Sequence, residues 1–270
     1  MKLIKHHAWG DVEAFELGYM PFGKPLMTSH FYIVDHLVID TGIAHLRNDV
    51  ISILEDRHPR MTILTHCHED HSGNAAAIQR RFNIDIFGHP YTVEKMKRKI
   101  IILPYQRLVW GRAENTDVLL YPSRIETDKF RLKPIPTPGH SKDHTAYLEE
   151  NQGWLFSGDL YLGDKIKIFR KDENVHDEIL SLKTILKYEF DQLFCAHNPQ
   201  EHHGKERILA KLDFLETIVG KSRALKEKGL PLNEIIQTLQ TSKDTFVRWF
   251  TMGNVSYGHM IRSALFDRPS

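Results

Sequence analysis

The chain has 270 residues, 36 Lys and Arg against 35 Asp and Glu, a formal net charge of +1 and two cysteines. A length of this order allows a large buried core with a small second unit, and 41% hydrophobic residues is ordinary for a globular enzyme. The near-zero balance offers no overall field for nucleic acid or an anionic membrane, two cysteines build no disulfide framework, and no apolar run reaches the ~18 residues of a membrane span.

In chain order, the opening "MKLIKHHAWG" lacks the apolar stretch of a secretion signal, so the expected compartment is the cytoplasm. "HFYIVDHLVIDTG" (30–42) alternates β-branched and aromatic residues about Asp35-His36 and predicts a hairpin. A helix is expected over 43–57, with Leu46, Val50, Ile53 and Leu54 as its apolar stripe. "MTILT" reads as a short buried strand, 70–82 as a helix with Asp70 or Ser72 near its N-cap, and 84–89 as another strand. Pro90 then opens a helix over 91–102. Residues 103–128 have weak periodicity and read as a surface excursion. Strands return in "FRLKPIPTPG", "HTAYLEE" and "GWLFSGD", followed by a helix over 175–190 and a strand over 192–196. Beyond 204 the pattern is helical, over about 204–228, 231–240, 243–252 and 256–266. The chain thus divides into 1–204, where strands and helices alternate, and a helical extension, 205–270. Its Ile208, Leu212, Leu215, Ile218 and Leu225 recur at helical spacing and need a surface to cover.

One stretch carries chemistry. "THCHEDHSG" (65–73) crowds His66, His68, Asp70 and His71 behind an apolar strand. In extended backbone His66 and His68 project to the same side, while Cys67 turns into the fold as a core thiol. Cys195 has a similar apolar strand setting. Asp70 and His71 follow where the chain enters a helix, so one loop offers two ligands to each of two neighbouring metal positions. Completing two shells needs more ligands at other strand ends. "PTPGHSKDH" supplies His140, "LFSGDL" supplies Asp159 and "LFCAHN" supplies His197. Taken singly these would read as a turn histidine, a loop cap and a helix cap. Their order behind strands is what marks them as ligands. A carboxylate has two oxygens, which suits Asp159 to bridging. His6, His7, His45, His58, His176 and His259 read as surface residues, and His202 and His203 as polar groups before a helix.

On these motifs the sequence resembles the metallo-β-lactamase-fold superfamily of metallohydrolases over about residues 10–204. The resemblance implies an α/β fold, a four-layer αββα sandwich of two mixed sheets with helices outside and the active site at one edge. It implies that His66, His68 and His140 hold a first metal, that Asp70, His71 and His197 hold a second, and that Asp159 bridges them. Asp40, in "VIDTG", would orient the ligand loop. Departures narrow the choice: β-lactamases of this fold usually carry another residue where Asp159 stands. Flavodiiron members have Glu in place of His68, and glyoxalase II usually has a second glycine where Asn74 stands. The pair His140–His144 is commoner in lactonase-like members. The helical tail is similar to a group that includes an endoribonuclease.

The expected enzyme is a dinuclear-metal hydrolase with two divalent ions, zinc first and Fe or Mn as alternatives. A bridging water would cleave an ester, thioester, lactone or similar small substrate, with Asp70 steering a proton to the leaving group. Phosphodiester or RNA cleavage is an alternative that the neutral charge balance disfavours, and persulfide chemistry at a single iron is another. Residues 95–112 ("KMKRKIIILPYQRLVWGR") combine six basic side chains with Tyr105 and Trp110 and suggest a lid favouring an anionic substrate. Tyr161, directly behind Asp159, and His144 are further candidates for the site's surroundings.

Overall fold

Strands whose two faces are both apolar must be covered on both sides, and several here are. The computed structural model describes residues 1–98, 100–240 and 244–269. A seven-stranded sheet runs in chain order through β1 (Lys2–Trp9), β2 (Val12–Tyr19), β3 (Ser29–Val34), β4 (Leu37–Ile39), β5 (Met61–Ile63), β6 (Asp85–Gly88) and β7 (Leu119–Leu120). β1 to β4 are antiparallel, and β4 to β7 are parallel. The second sheet comprises β8 (Ile125–Glu126), β9 (Arg131–Pro136), β10 (Thr145–Glu149), β11 (Trp154–Gly158) and β12 (Gln192–Cys195), in the order β12-β11-β10-β9-β8. Only its β11–β12 pair is parallel.

Alternation along the strands builds the layers. Tyr32 and Val34 of β3 meet Tyr147, Phe156 and Phe194 of the second sheet in a core between the sheets. Phe31 and Ile33 face the other way, onto Val50 and Leu54 of α1 (Arg47–Glu55). On the far side Leu148, Leu155, Leu193 and Cys195 pack beneath α6 (Val175–Ile185) and α7 (Gly204–Glu227). The result is helix, sheet, sheet, helix.

The loop before α2 (Glu69–Ser72) and the helices α3 (Ala75–Phe82), α4 (Pro90–Lys97) and α5 (Pro104–Val109) complete the first half. The helix expected over 70–82 is two pieces, because the buried Asn74 side chain donates to the carbonyls of Thr41 and Ile43 and pins the chain between them. The helix expected over 91–102 ends at Lys97, just ahead of the β-branched run Ile100–Ile102, which disfavours further turns. The expected surface excursion, 103–128, instead contains α5 and the strands β7 and β8.

The helical extension continues through α8 (Leu232–Leu239), α9 (Thr245–Phe250) and α10 (Tyr257–Phe266). The expected helical start at 243 lies outside the described residues, as does Lys99 of the basic segment. Ile208, Leu212, Leu215 and Ile218 are buried in the same cluster as Leu148 and Leu155 of the second sheet. No helix among the described residues is long and apolar enough to cross a membrane.

Candidate metal centre

Functional side chains gather at one end of the sandwich, behind the C-terminal ends of β5, β9, β11 and β12. The loop after β5 is shaped by two carboxylates from elsewhere. Asp40, just past β4, adopts φ +59°, a left-handed conformation that Asp tolerates better than most residues. Its carboxylate accepts from Thr65 N and Thr65 Oγ1, both at 2.8 Å, and lies 2.7 Å from His71 Nδ1. Asp143 accepts from Cys67 N at 3.0 Å and from Thr92 Oγ1 at 2.9 Å.

The seven residues singled out by the sequence fall into two groups, each with its ligand-type atoms within 4.8 Å of one another. In the first, His66 Nε2 lies 2.8 Å from His68 Nδ1, which lies 2.9 Å from His140 Nε2. In the second, Asp159 Oδ1 lies 3.2 Å from His71 Nε2 and 3.3 Å from His197 Nε2, and Asp70 Oδ2 lies 3.3 Å from His197 Nε2. The other oxygen of Asp159 is 3.2 Å from His140 Nε2, so this carboxylate stands between the groups.

Most of these imidazoles are held from behind. Nδ1 of His71 meets Asp40, Nδ1 of His140 meets Glu173 Oε1 at 2.7 Å, and Nδ1 of His197 meets the Thr28 carbonyl at 2.6 Å. Each such bond leaves Nε2 facing the group, the usual way a protein fixes the ring of a metal-binding histidine. Gly158 is required by space as well as by φ +49°: a Cβ there would come within 2.7 Å of His144 Nε2 and 2.9 Å of Thr65.

The chemistry of the set fits divalent cations. His71 Nε2 and Asp159 Oδ1 are buried and 3.2 Å apart, yet neither makes a hydrogen bond with the described residues. Two buried polar atoms left without hydrogen bonds at this distance are a pair that a shared cation would satisfy. Burial, reinforced by neighbouring imidazoles, holds His66 well below the ordinary histidine value; burial and then the Arg170 charge do the same for His68. Both rings are therefore neutral and offer lone pairs. Burial alone would raise the Asp159 pKa, but His197, His71 and His140 outweigh it and keep the carboxyl well below the usual carboxylate range. For His197 burial is again opposed, and Asp159 and Asp70 push the imidazole up to about 10. The concentration of negative charge that draws a proton to His197 is what a divalent cation would neutralise.

A small cavity of about 110 Å³ opens over Asp70, His140, Asp159 and His197, walled by Tyr105, Trp110 and Phe169. The extension reaches it. Val255 lines the cavity, Ser256 N donates to the Phe169 carbonyl, Lys171 N donates to the Asn254 carbonyl, and Asn254 Nδ2 donates to Tyr105 Oη at 2.8 Å.

Other candidates fall differently. His144 does not bond to His140; its Nδ1 meets Thr137 Oγ1 at 2.7 Å and its Nε2 accepts from Asp159 N at 3.0 Å, so it holds the backbone of the central aspartate. Tyr161 is buried in the outer helical layer, its hydroxyl donating to Asp164 at 2.7 Å. Cys67 packs against the cluster of Leu64, Ile86 and Met96 but is only half-buried, because it also borders a cavity. Glu173, Thr28, Asn254 and Val255 had no local signal: each reaches the site through a contact distant in sequence.

Two face-to-face sheets with ligand-type side chains gathered at their strand ends define the αββα class of metallohydrolase scaffold. The family model described as the metallo-beta-lactamase superfamily matches residues 25–197. A probable metallo-hydrolase from Bacillus subtilis is 33% identical over 177 residues, 62% of this chain and 77% of that one. A thioesterase from Emericella nidulans is 27% identical over 157 residues, 54% of this chain and 40% of that one. Among solved structures, a beta-lactamase domain protein from Burkholderia ambifaria matches with a TM-score of 0.72 at 18% identity, over 96% of this chain and 87% of that one, a likeness of fold. The chain belongs to the metallo-beta-lactamase superfamily.

Proposed function

We propose that this metal-dependent hydrolase holds two divalent cations, zinc by preference, and hydrolyses a thioester or closely related acyl bond of a small substrate. The observation that carries the reading is the position of Asp159, with one oxygen toward His140 and the other toward His71 and His197. A carboxylate between an all-imidazole group and a mixed group suits a bridge between two cations a few ångströms apart. Imidazole nitrogen with carboxylate oxygen is a donor set that zinc accepts readily, with iron and manganese as the alternatives. The thioester preference draws on the likeness to the thioesterase.

His66, His68 and His140 would hold one cation, Asp70, His71 and His197 the other, with Asp159 shared. Bound there, the pair supplies an acidified water as nucleophile and a Lewis acid for the substrate's oxygen. The chain's own residues do the rest. Asp40, Glu173 and the Thr28 carbonyl keep the imidazoles aimed, so the ligands need no rearrangement during turnover. His144 holds the Asp159 backbone. Trp110, Phe169 and Val255 restrict water around the acyl group. Asp70, beside His197, is placed to pass a proton toward the departing thiol.

Metal analysis of the purified protein, combined with turnover assays on thioesters, lactones, phosphodiesters and RNA, tests this. The expected result is about two metals per chain with thioester turnover. One iron per chain, or RNA cleavage with salt-sensitive nucleic-acid binding, would overturn it.

A further inference from the structure

A second cavity, about 390 Å³, adjoins the metal centre and shares His68 and Arg170 with the smaller one. A molecule seated over the ligand groups therefore meets, in His68 and Arg170, two side chains that also line the second cavity. Met96, Ile100, Ile101 and Leu103 give it an apolar side, and Ile101 is 90% exposed at its edge. Its charged lining is Lys95, Arg98 and Arg170 against Glu69 and Asp172.

The acids are largely occupied. Both oxygens of Glu69 take the Gln106 amide at 3.1 Å, and Asp172 takes two N–H groups of Arg170 at 3.1 and 3.3 Å. Lys95 lies 3.4 Å from Asp143. Arg98 makes no ion pair among the described residues. A guanidinium carries five N–H donors, and those Arg170 does not give to Asp172 have no protein partner among the described residues. Its side chain is 21% exposed, at the junction of the two cavities. A planar, weakly hydrated cation with free donors there is suited to a carboxylate or phosphate taken two bonds at a time.

Resting on the thioester reading above, we infer that the larger cavity receives an anionic arm of the substrate, a carboxylate or phosphate on an apolar stem, recognised by Arg170 and Arg98. The stem lies along Ile100, Ile101 and Leu103 while the acyl carbon sits over the metal centre. This site sorts substrates by charge, with no step of the hydrolysis assigned to it.

The test uses acetyl thioesters that differ only at the thiol end: 3-mercaptopropionate, its methyl ester, and 2-mercaptoethyl phosphate. A succinyl thioester of a neutral thiol moves the charge to the acyl side. The metal-loaded enzyme should favour a charged member over its neutral partner by about tenfold or more in kcat/KM, chiefly through KM, which corresponds to about 1.4 kcal/mol. Which member gains most tells carboxylate from phosphate and thiol side from acyl side. Arg170→Gln and Arg98→Gln should each move the ratio toward one, and Arg170→Lys should retain part of it. A ratio near one in the unmodified enzyme, or one unchanged in both Gln variants, overturns the inference while leaving thioester hydrolysis standing. If no thioester is turned over, the functional reading fails separately. Calorimetric binding of acetylthiopropionate against its methyl ester then decides: tighter binding of the acid that Arg98→Gln abolishes supports the site, and equal binding overturns it.

Discussion

Asp159 and His197 stand 3.3 Å apart but occupy different places in the two groups, so their replacement should have different consequences. Asp159→Ala removes an oxygen of the second group and the one that faces His140, and on the two-cation reading would leave both cations without their shared counter-charge. Metal content should fall at both positions and turnover should nearly vanish. His197→Ala touches only the second group, and stoichiometry should drop from about two to about one per chain; elemental analysis of each variant distinguishes these outcomes. Asp143 offers a test of the loop's support. Burial would raise its pKa, but the Lys95 charge and several hydrogen bonds outweigh that and bring it to about 2, below the usual aspartate range. A depressed acid stabilises the fold above its unfolded value and loses that contribution as pH falls toward about 2. Asp143→Asn should therefore cost on the order of 2 kcal/mol at neutral pH, with the gap constant above about pH 5 and closing below it, read by urea unfolding of the metal-free protein. The candidate ligands were legible because four crowd one loop and three follow short apolar strands. Their supports were not: Glu173 and Thr28 lie in unremarkable local sequence and matter only because the chain returns to the site.

At the scale of elements, α6 and α7 are joined by a buried ion pair. Lys211, fully buried on α7, donates to Glu178 and, at 2.6 Å, to the carbonyl of Leu160, the residue after Asp159. Burial raises the Glu178 pKa and Lys211 lowers it, with burial prevailing. Lys211→Met should cost about 3–5 kcal/mol by leaving a buried acid unpartnered. Lys211→Met with Glu178→Gln should recover much of that, measured as urea midpoints of the single and double variants. Sequence periodicity identified α1, α6 and the long α7 because each has one apolar stripe over a core. It missed the β1–β2 hairpin because β1 lies at the sheet edge with Lys2, Lys5 and His6 exposed, a guarded edge with little alternation to read. It read 103–128 as surface because α5 is six residues long, too short to show a helical stripe. Gln106 and Val109 are nevertheless buried, and Tyr105 faces the cavity.

For the whole molecule, we propose that 205–270 is an extension that does not separate from 1–204 as an independent unit. Ile208, Leu212 and Leu215 complete the cluster over the second sheet. Removing them would expose Leu148, Leu155 and Leu193 together. A chain ending at 204 should lack a cooperative unfolding transition, and limited proteolysis should release no active 1–204 fragment; recovery of a stable, fully active one would refute this. The bridge between residues 169–171 and 254–256 also bears on the protein's synthesis. Every candidate ligand precedes residue 198, and so do Tyr105, Trp110 and Phe169 of the cavity wall, whereas Val255 arrives more than fifty residues later. A chain leaving the ribosome thus exposes its candidate ligands before the last piece of the cavity wall exists. On the two-cation reading, capture can begin on the nascent chain while the cavity is completed only when the final helices dock, so a truncated message would yield the candidate ligands without Val255 and Asn254 beside them.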